Sequence, residues 1–215
     1  MASFIAKKIK HIKLPTSLTS IGSYSFNNCI SLKEIEIPSS VTSIDSFAFC
    51  RSIKKVVIPS NVKFLGNSTF TQCTSLKEAE ILAPLTGIDK FMFNGCSALK
   101  DVKIPESVTE IKERAFANCT GFTQISFPDS LIFIDHESFL RCMRHSKILI
   151  PSSVTSIGEF AFYSCGLIEI TISPLVVSIG QYVFKQCILL RKITIPSSFD
   201  LNDLGIGPNV KVIKT

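Results

Sequence analysis

Residues 32–50 read LKEIEIPSSVTSIDSFAFC, and nearly everything between His11 and Pro196 is a variation on them. As a template the stretch is L-x-x-I-x-I-P-x-x-V-T-x-I-G/D-x-x-A-F, and C-x-x-L of the next copy follows. Recurrence at a period of about 23 residues marks a solenoid: no unit can bury its own apolar face, so each must stack on its neighbours.

Aligned on the closing Phe, the copies end at Phe26, Phe49, Phe70, Phe93, Phe116, Phe139, Phe162 and Phe184. The cysteines keep the same beat at Cys29, Cys50, Cys73, Cys96, Cys119, Cys142, Cys165 and Cys187, which uses all eight. All but Cys50 lie three residues after their Phe, a regularity unlike a disulfide framework or paired C-x-x-C metal hooks. The expected role is a column of reduced, buried thiols acting as small hydrophobes.

Before each Pro position stands an apolar pair at period two: Ile35 and Ile37, Val56 and Ile58, Ala79 and Ile81, Val102 and Ile104, Ile148 and Ile150, Ile170 and Ile172, Ile193 and Ile195. Ile12 with Leu14 and Ile125 with Phe127 complete the series. Such short alternation reads as a half-buried strand, and a Pro that cannot donate to a ladder ends it. Each copy is thus expected to give one brief parallel strand. The V-T-x-I segment supplies further apolar positions from the opposite wall. The Gly or Asp after it (Gly22, Asp45, Gly66, Asp89, Asp135, Gly158, Gly180) suggests a turn with positive φ. Stacked at strand spacing, the coils would form a rod roughly 45 Å long.

The array fills residues 12–198, between an N-terminal cap segment, 1–11, rich in Lys (Lys7, Lys8, Lys10), and a C-terminal cap, 199–215, holding a last strand around Val210 and Val212. Three departures stand out: a residue lost between Cys165 and Leu167, Leu82 at a Pro position, and His145 at a Leu position, where an outward side chain is expected.

These residues carry a resemblance. The pattern C-x-x-L-x-x-I-x-I-P-x-x-V-T-x-I-G-x-x-A-F resembles the BspA-like class of leucine-rich repeats over most of the chain. The resemblance implies a leucine-rich-repeat solenoid: mainly short parallel β-strands with turns and short helical segments, a curved right-handed superhelix with a strand-lined concave face. It also implies a binding module, since many such proteins sit on the surfaces of bacteria and unicellular parasites and attach to host proteins.

Apolar content of 46% suffices for a core, and a net charge of +6 over 215 residues is too modest and dispersed for a nucleic-acid footprint. No run approaches the roughly 20 apolar residues of a membrane span, and MASFIAKKIKHIKLP holds no signal-peptide core, so a cytoplasmic setting is expected, with the cell surface as the alternative. Only three His occur; Asp135-His136-Glu137 looks chemical but falls at a turn, and no cofactor loop or metal spacing appears, so no enzyme is expected.

Two surfaces could bind. On the strand face the residues flanking the buried pairs are Glu34, Glu36, Lys55, Glu78, Glu80, Asp101, Lys103, Gln124, Lys147, Glu169 and Lys192, whose mixed signs favour a protein partner over a phosphate backbone. That partner could be a signalling enzyme such as a phosphatase, for an intracellular scaffold or regulator, or a host surface protein, for an adhesin. Self-association through a terminal coil is a third possibility. The other surface is a column two residues before each core Phe: Tyr24, Phe47, Ser68, Phe91, Arg114, Glu137, Phe160 and Tyr182, read as shielding of the core edge.

Overall fold

The computed structural model describes residues 8–49, 51–123, 125–142 and 144–215, the side chains of 144–146 excepted. Lys7, Cys50 and Gln124, and the side chain of His145, therefore lie outside the described residues. The chain winds as a parallel β-solenoid, and each regular coil gives two short strands where the sequence suggested one.

One ribbon comes from the x-I pair at the end of V-T-x-I. β1 (Ser20–Ile21), β2 (Ser43–Ile44) and β4 (Phe64–Leu65) form its first sheet. β6 (Gly87–Ile88), β8 (Glu110–Ile111), β9 (Phe133–Ile134), β11 (Ser156–Ile157) and β13 (Ser178–Ile179) form its second. The other ribbon comes from the apolar pairs. β3 (Lys55–Ile58), β5 (Glu78–Ile81) and β7 (Asp101–Lys103) make one sheet, and β10 (Arg144–Leu149), β12 (Gly166–Thr171), β14 (Lys192–Ile195) and β15 (Lys211–Lys214) make another. All pairing is parallel, residue on equivalent residue: Lys55 faces Glu78 and Glu78 faces Asp101. The terminal strand begins at Lys211, so Val212 pairs with Ile193 while Val210 precedes it.

Between the ribbons runs the core. The eight closing Phe rings lie one above another, with centroids 4.8–6.1 Å apart and planes within 17° of parallel. Each Phe amide donates to the carbonyl of the residue preceding the next Phe, as from Phe26 to Ala48 at 2.8 Å and Phe116 to Ser138 at 2.8 Å. At the end Phe184 donates to buried Leu204 at 2.9 Å, and Gly205 follows where a ninth Phe would stand.

Seven described cysteines are buried free thiols. Cys96 donates its thiol to the Phe70 carbonyl at 3.1 Å, and Cys119 does so to Phe93 at 3.1 Å, Cys165 to Phe139 at 2.8 Å and Cys187 to Phe162 at 3.1 Å. Cys fits because the site needs a small apolar body with a weak donor aimed at the coil before.

Two expectations about the arc around the Phe need correction. No helical segment occurs there among the described residues: the arc is a run of turns closed by i to i+3 bonds, Asn27 to Tyr24, Cys29 to Phe26 and Leu32 to Cys29. Positive φ falls two residues beyond the Gly/Asp position, on Tyr24, Phe47, Ser68, Phe91, Arg114, Glu137, Phe160 and Tyr182. Left-handed backbone costs an L-residue about 1–2 kcal/mol. It is offset where that residue's amide reaches the next coil, as Ser68 does to Lys90 at 2.9 Å and Glu137 to Glu159 at 3.0 Å. Glycine at the earlier position answers to proximity: a Cβ on Gly66 would lie 2.6 Å from the Ser46 nitrogen.

The sequence departures also find reasons. Leu82, where other copies have Pro, donates its amide to Ile58 at 2.9 Å. The residue missing after Cys165 is already absorbed where the two strands begin, since Arg144 of β10 faces Gly166 of β12; two register shifts that cancel follow at Ser146, which puts His145 at an irregularity in the strand.

Candidate functional site

The strand face falls into two blocks, because residues 125–127 form no strand and separate β7 from β10. Parallel registration stacks the outward side chains, and opposite charges meet across coils. Lys55 lies 3.5 Å from Glu78, Lys103 3.0 Å from Glu80, and Lys147 3.3 Å from Glu169. Six of the ten charged candidates are thereby engaged with one another. Exposed pairs of this kind contribute about 0.2–1 kcal/mol each, so they tune the surface more than they hold the fold.

The other four are Glu34, Glu36, Asp101 and Lys192. None enters an ion pair among the described residues. Lys192 stands beside Lys211 in register, so the second block ends basic while the first is left with three carboxylates. Exposed apolar side chains accompany them: Leu149 on β10, 72% exposed, and Leu82 just beyond β5, 53% exposed.

The first block is open at its N-terminal side. Segment 34–37 meets β3 through a single bridge, Glu34 to Lys55. A trough of about 680 Å³ lies there, lined by Glu34, Ile35, Glu36, Ile37, Pro38, Lys55, Val57, Pro59 and Leu82 among others. Two smaller troughs of about 530 and 440 Å³ continue it towards the first coil past Lys33 and Pro38.

On the opposite side a second ionic ladder runs through coils four to six, unnoticed in the sequence reading. Lys112 reaches Asp89 at 2.6 Å and Glu110 at 3.1 Å, Lys90 reaches Glu113 at 3.1 Å, and Arg114 hydrogen-bonds Glu137. The Asp89 contact raises the Lys112 pKa, and the Arg114 hydrogen bond lowers that of Glu137. The legible signal was the spacing: Lys55 and Glu78, Lys90 and Glu113, Asp89 and Lys112, Arg114 and Glu137 are each 23 residues apart, one coil.

The outer column is self-contacting. Tyr24 stacks on Phe47 at 5.1 Å and Phe160 on Tyr182 at 5.5 Å, while Arg114 caps the Phe91 ring at 5.8 Å and Lys185 the Tyr182 ring at 4.4 Å. His136 contacts Glu137 at 3.1 Å and packs edge-on to Phe160. Glu137 is held chiefly by Arg114, so it serves the ladder, and the neighbouring Ser138 hydroxyl is buried with no hydrogen-bond partner among the described residues. Among the described residues no cluster of His, Cys, Asp and Glu could hold a metal, and no helix is long and apolar enough to cross a membrane.

A family model described as a BspA type leucine rich repeat region matches residues 1–123 and 111–205, in six copies. Among solved structures, a leucine-rich repeat protein from Bacteroides ovatus is similar at 28% identity and a TM-score of 0.82, over 97% of this chain and 55% of that one. A leucine rich cell surface protein from Faecalibacterium prausnitzii matches at 25% identity and a TM-score of 0.56, over 88% and 60%. The Leucine Rich Repeat protein of T. pallidum matches at 28% and 0.54, over 74% and 68%. The chain spans about half the length of the Bacteroides ovatus protein. No curated protein sequence matches.

Proposed function

The chain belongs to the BspA-type leucine-rich-repeat family, and from that premise we propose that it is a non-enzymatic module whose strand-lined face receives a protein partner. The observation that carries this reading is the face itself: residues of both signs in fixed register, interspersed with exposed Leu82 and Leu149, and four charges outside every ion pair among the described residues. Such a surface offers a protein polar complementarity and apolar anchors together. It offers little to a phosphate backbone, which Glu34, Glu36 and Asp101 would repel.

The column of buried free thiols supports a reducing, intracellular setting, and there the module acts as a scaffold or regulator for a signalling enzyme such as a phosphatase. The likeness to a cell surface protein of Faecalibacterium prausnitzii favours a second reading, an adhesin that binds a host protein through the same face. Localising the native protein in its own cells separates the two.

The face is tested by partner isolation with single substitutions. After native copurification, Asp101→Lys and Thr171→Arg, both exposed on the strand face, should each weaken partner retention severalfold with thermal unfolding unchanged. Ser178→Arg on the opposite ribbon should not. Loss with Ser178→Arg alone would move binding to the other side and overturn the assignment.

A further inference from the structure

Within the strand face, the trough between the second and third coils differs from the rest. Elsewhere in the first block the strands close on one another and a Lys neutralises a Glu across the junction, Lys55 with Glu78 and Lys103 with Glu80. At the trough neither happens. One bridge replaces a ladder, and Glu34 and Glu36 project beside it, exposed and outside every ion pair among the described residues. The same wall carries apolar surface that water now covers: partly exposed Val57, Pro38 and Pro59, and Leu82, 53% exposed. Leu82 takes the place of a Pro and sits at the rim of this opening, where its bulk extends the apolar floor.

We propose that this trough seats an extended, cationic partner segment in which an apolar side chain enters against Val57, Pro59 and Leu82 while a flanking Lys or Arg meets Glu34 and Glu36. The inference rests on the reading that the strand face binds protein, and it adds the chemistry of what is bound and where. A volume of about 680 Å³ is ample for one or two side chains, though the site is a surface trough and no enclosed cavity. The two acids lie two residues apart on an extended segment, so their side chains share one face, at a spacing that alternate residues of an extended peptide match. Glu34 and Glu36 supply the negative charge at the trough, Lys10, Lys13 and Lys33 lining only the two smaller troughs beside it, while the far end at Lys192 and Lys211 is positive. A bound segment is therefore oriented with its basic end over the second and third coils.

The test uses the full chain and three fluorescein-labelled nonapeptides: GKVKVKVKG, its acidic counterpart GEVEVEVEG, and GKSKSKSKG, which keeps the charge and removes the apolar side chains. Fluorescence anisotropy should show binding of the first peptide, weakened as salt rises, with the other two weaker by about tenfold or more. Glu34→Gln with Glu36→Gln should weaken the first peptide about threefold to tenfold, as loss of one or two rim ion pairs implies. Leu82→Ser should do the same, and Glu113→Gln on the opposite ribbon should change nothing. Equal binding of the acidic peptide, competition by spermine as effective as by GKVKVKVKG, or indifference to both trough variants would overturn the proposal. Because Asp101→Lys and Thr171→Arg lie outside the trough's lining, their effect on the isolated partner reports the face reading separately. If they release the partner while the basic peptide fails to bind, the face stands and the cationic segment falls.

Discussion

Phe116→Ala is expected to destabilise the protein by about 3–5 kcal/mol, the range for emptying a fully enclosed aromatic site. The ring is fully buried. It stacks on Phe93 at 5.4 Å and Phe139 at 5.3 Å, and takes the edge of Phe122 at 5.6 Å. Against a total stability of the usual order, about 5–15 kcal/mol, that is a large fraction. The position matters as much as the size. In a stack where each coil contacts only its neighbours, removing the central ring severs the coupling between two halves, so urea unfolding should broaden or split into two steps as well as shift. Phe26→Ala gives the comparison, since Phe26 ends the ladder with Phe49 alone beside it, at 5.9 Å. It should cost clearly less and keep a single transition. Equal costs at the two sites would mean that the rings are not coupled along the axis.

The second large effect is expected at a methyl group. Gly158→Ala should cost about 1–3 kcal/mol, the toll of overpacking. Its Cβ would stand 2.5 Å from the His136 nitrogen and 2.6 Å from the Asp135 carbonyl carbon, both backbone atoms of the preceding coil that no side-chain rotation can clear. Gly22→Ala, at the equivalent point of the first copy, meets nothing nearer among the described residues than the Ser25 hydroxyl at 3.8 Å and should be nearly neutral. The template treats the two glycines as one position, and only the presence of a coil beneath distinguishes them. Thermal unfolding of the two variants side by side checks this, and a neutral Gly158→Ala would mean that the coils stand further apart than described.

How far the sequence could be read follows the same divide. The Phe ladder and the thiol column were legible because each is a single residue type recurring at one period, and burial leaves little freedom in what can stand there. The second ribbon was not, since strands of two residues such as Ser43–Ile44 give no alternation to detect. Nor were the left-handed residues: Phe91, Arg114 and Glu137 bear no mark of positive φ, and the conformation is imposed by bonds to the next coil. On the strand face the candidate residues were legible as an outward row, but their pairing was hidden until registration put Lys55 on Glu78. The trough was invisible for the opposite reason. Residues 34–37 obey the template, and their failure to close on β3 beyond one bridge leaves no trace in the letters.

Everything on the outer faces depends on coils that lie in register with the Cys column sealed inside, and alkylation of individual thiols in the native protein tests that most directly. Burial raises the thiol pKa well above its usual value at Cys96 and Cys165, and to about 12 at Cys187. At these three sites burial disfavours the reactive thiolate, and at all seven little of the sulfur can be reached. Treated with iodoacetamide at pH 8 without reductant and read by peptide mass, Cys29, Cys73, Cys96, Cys119, Cys142, Cys165 and Cys187 should stay unmodified in the folded protein and all react once urea unfolds it. Prompt labelling of the central Cys96 or Cys119 under native conditions, or a disulfide joining any two of the seven, would contradict the stacked arrangement.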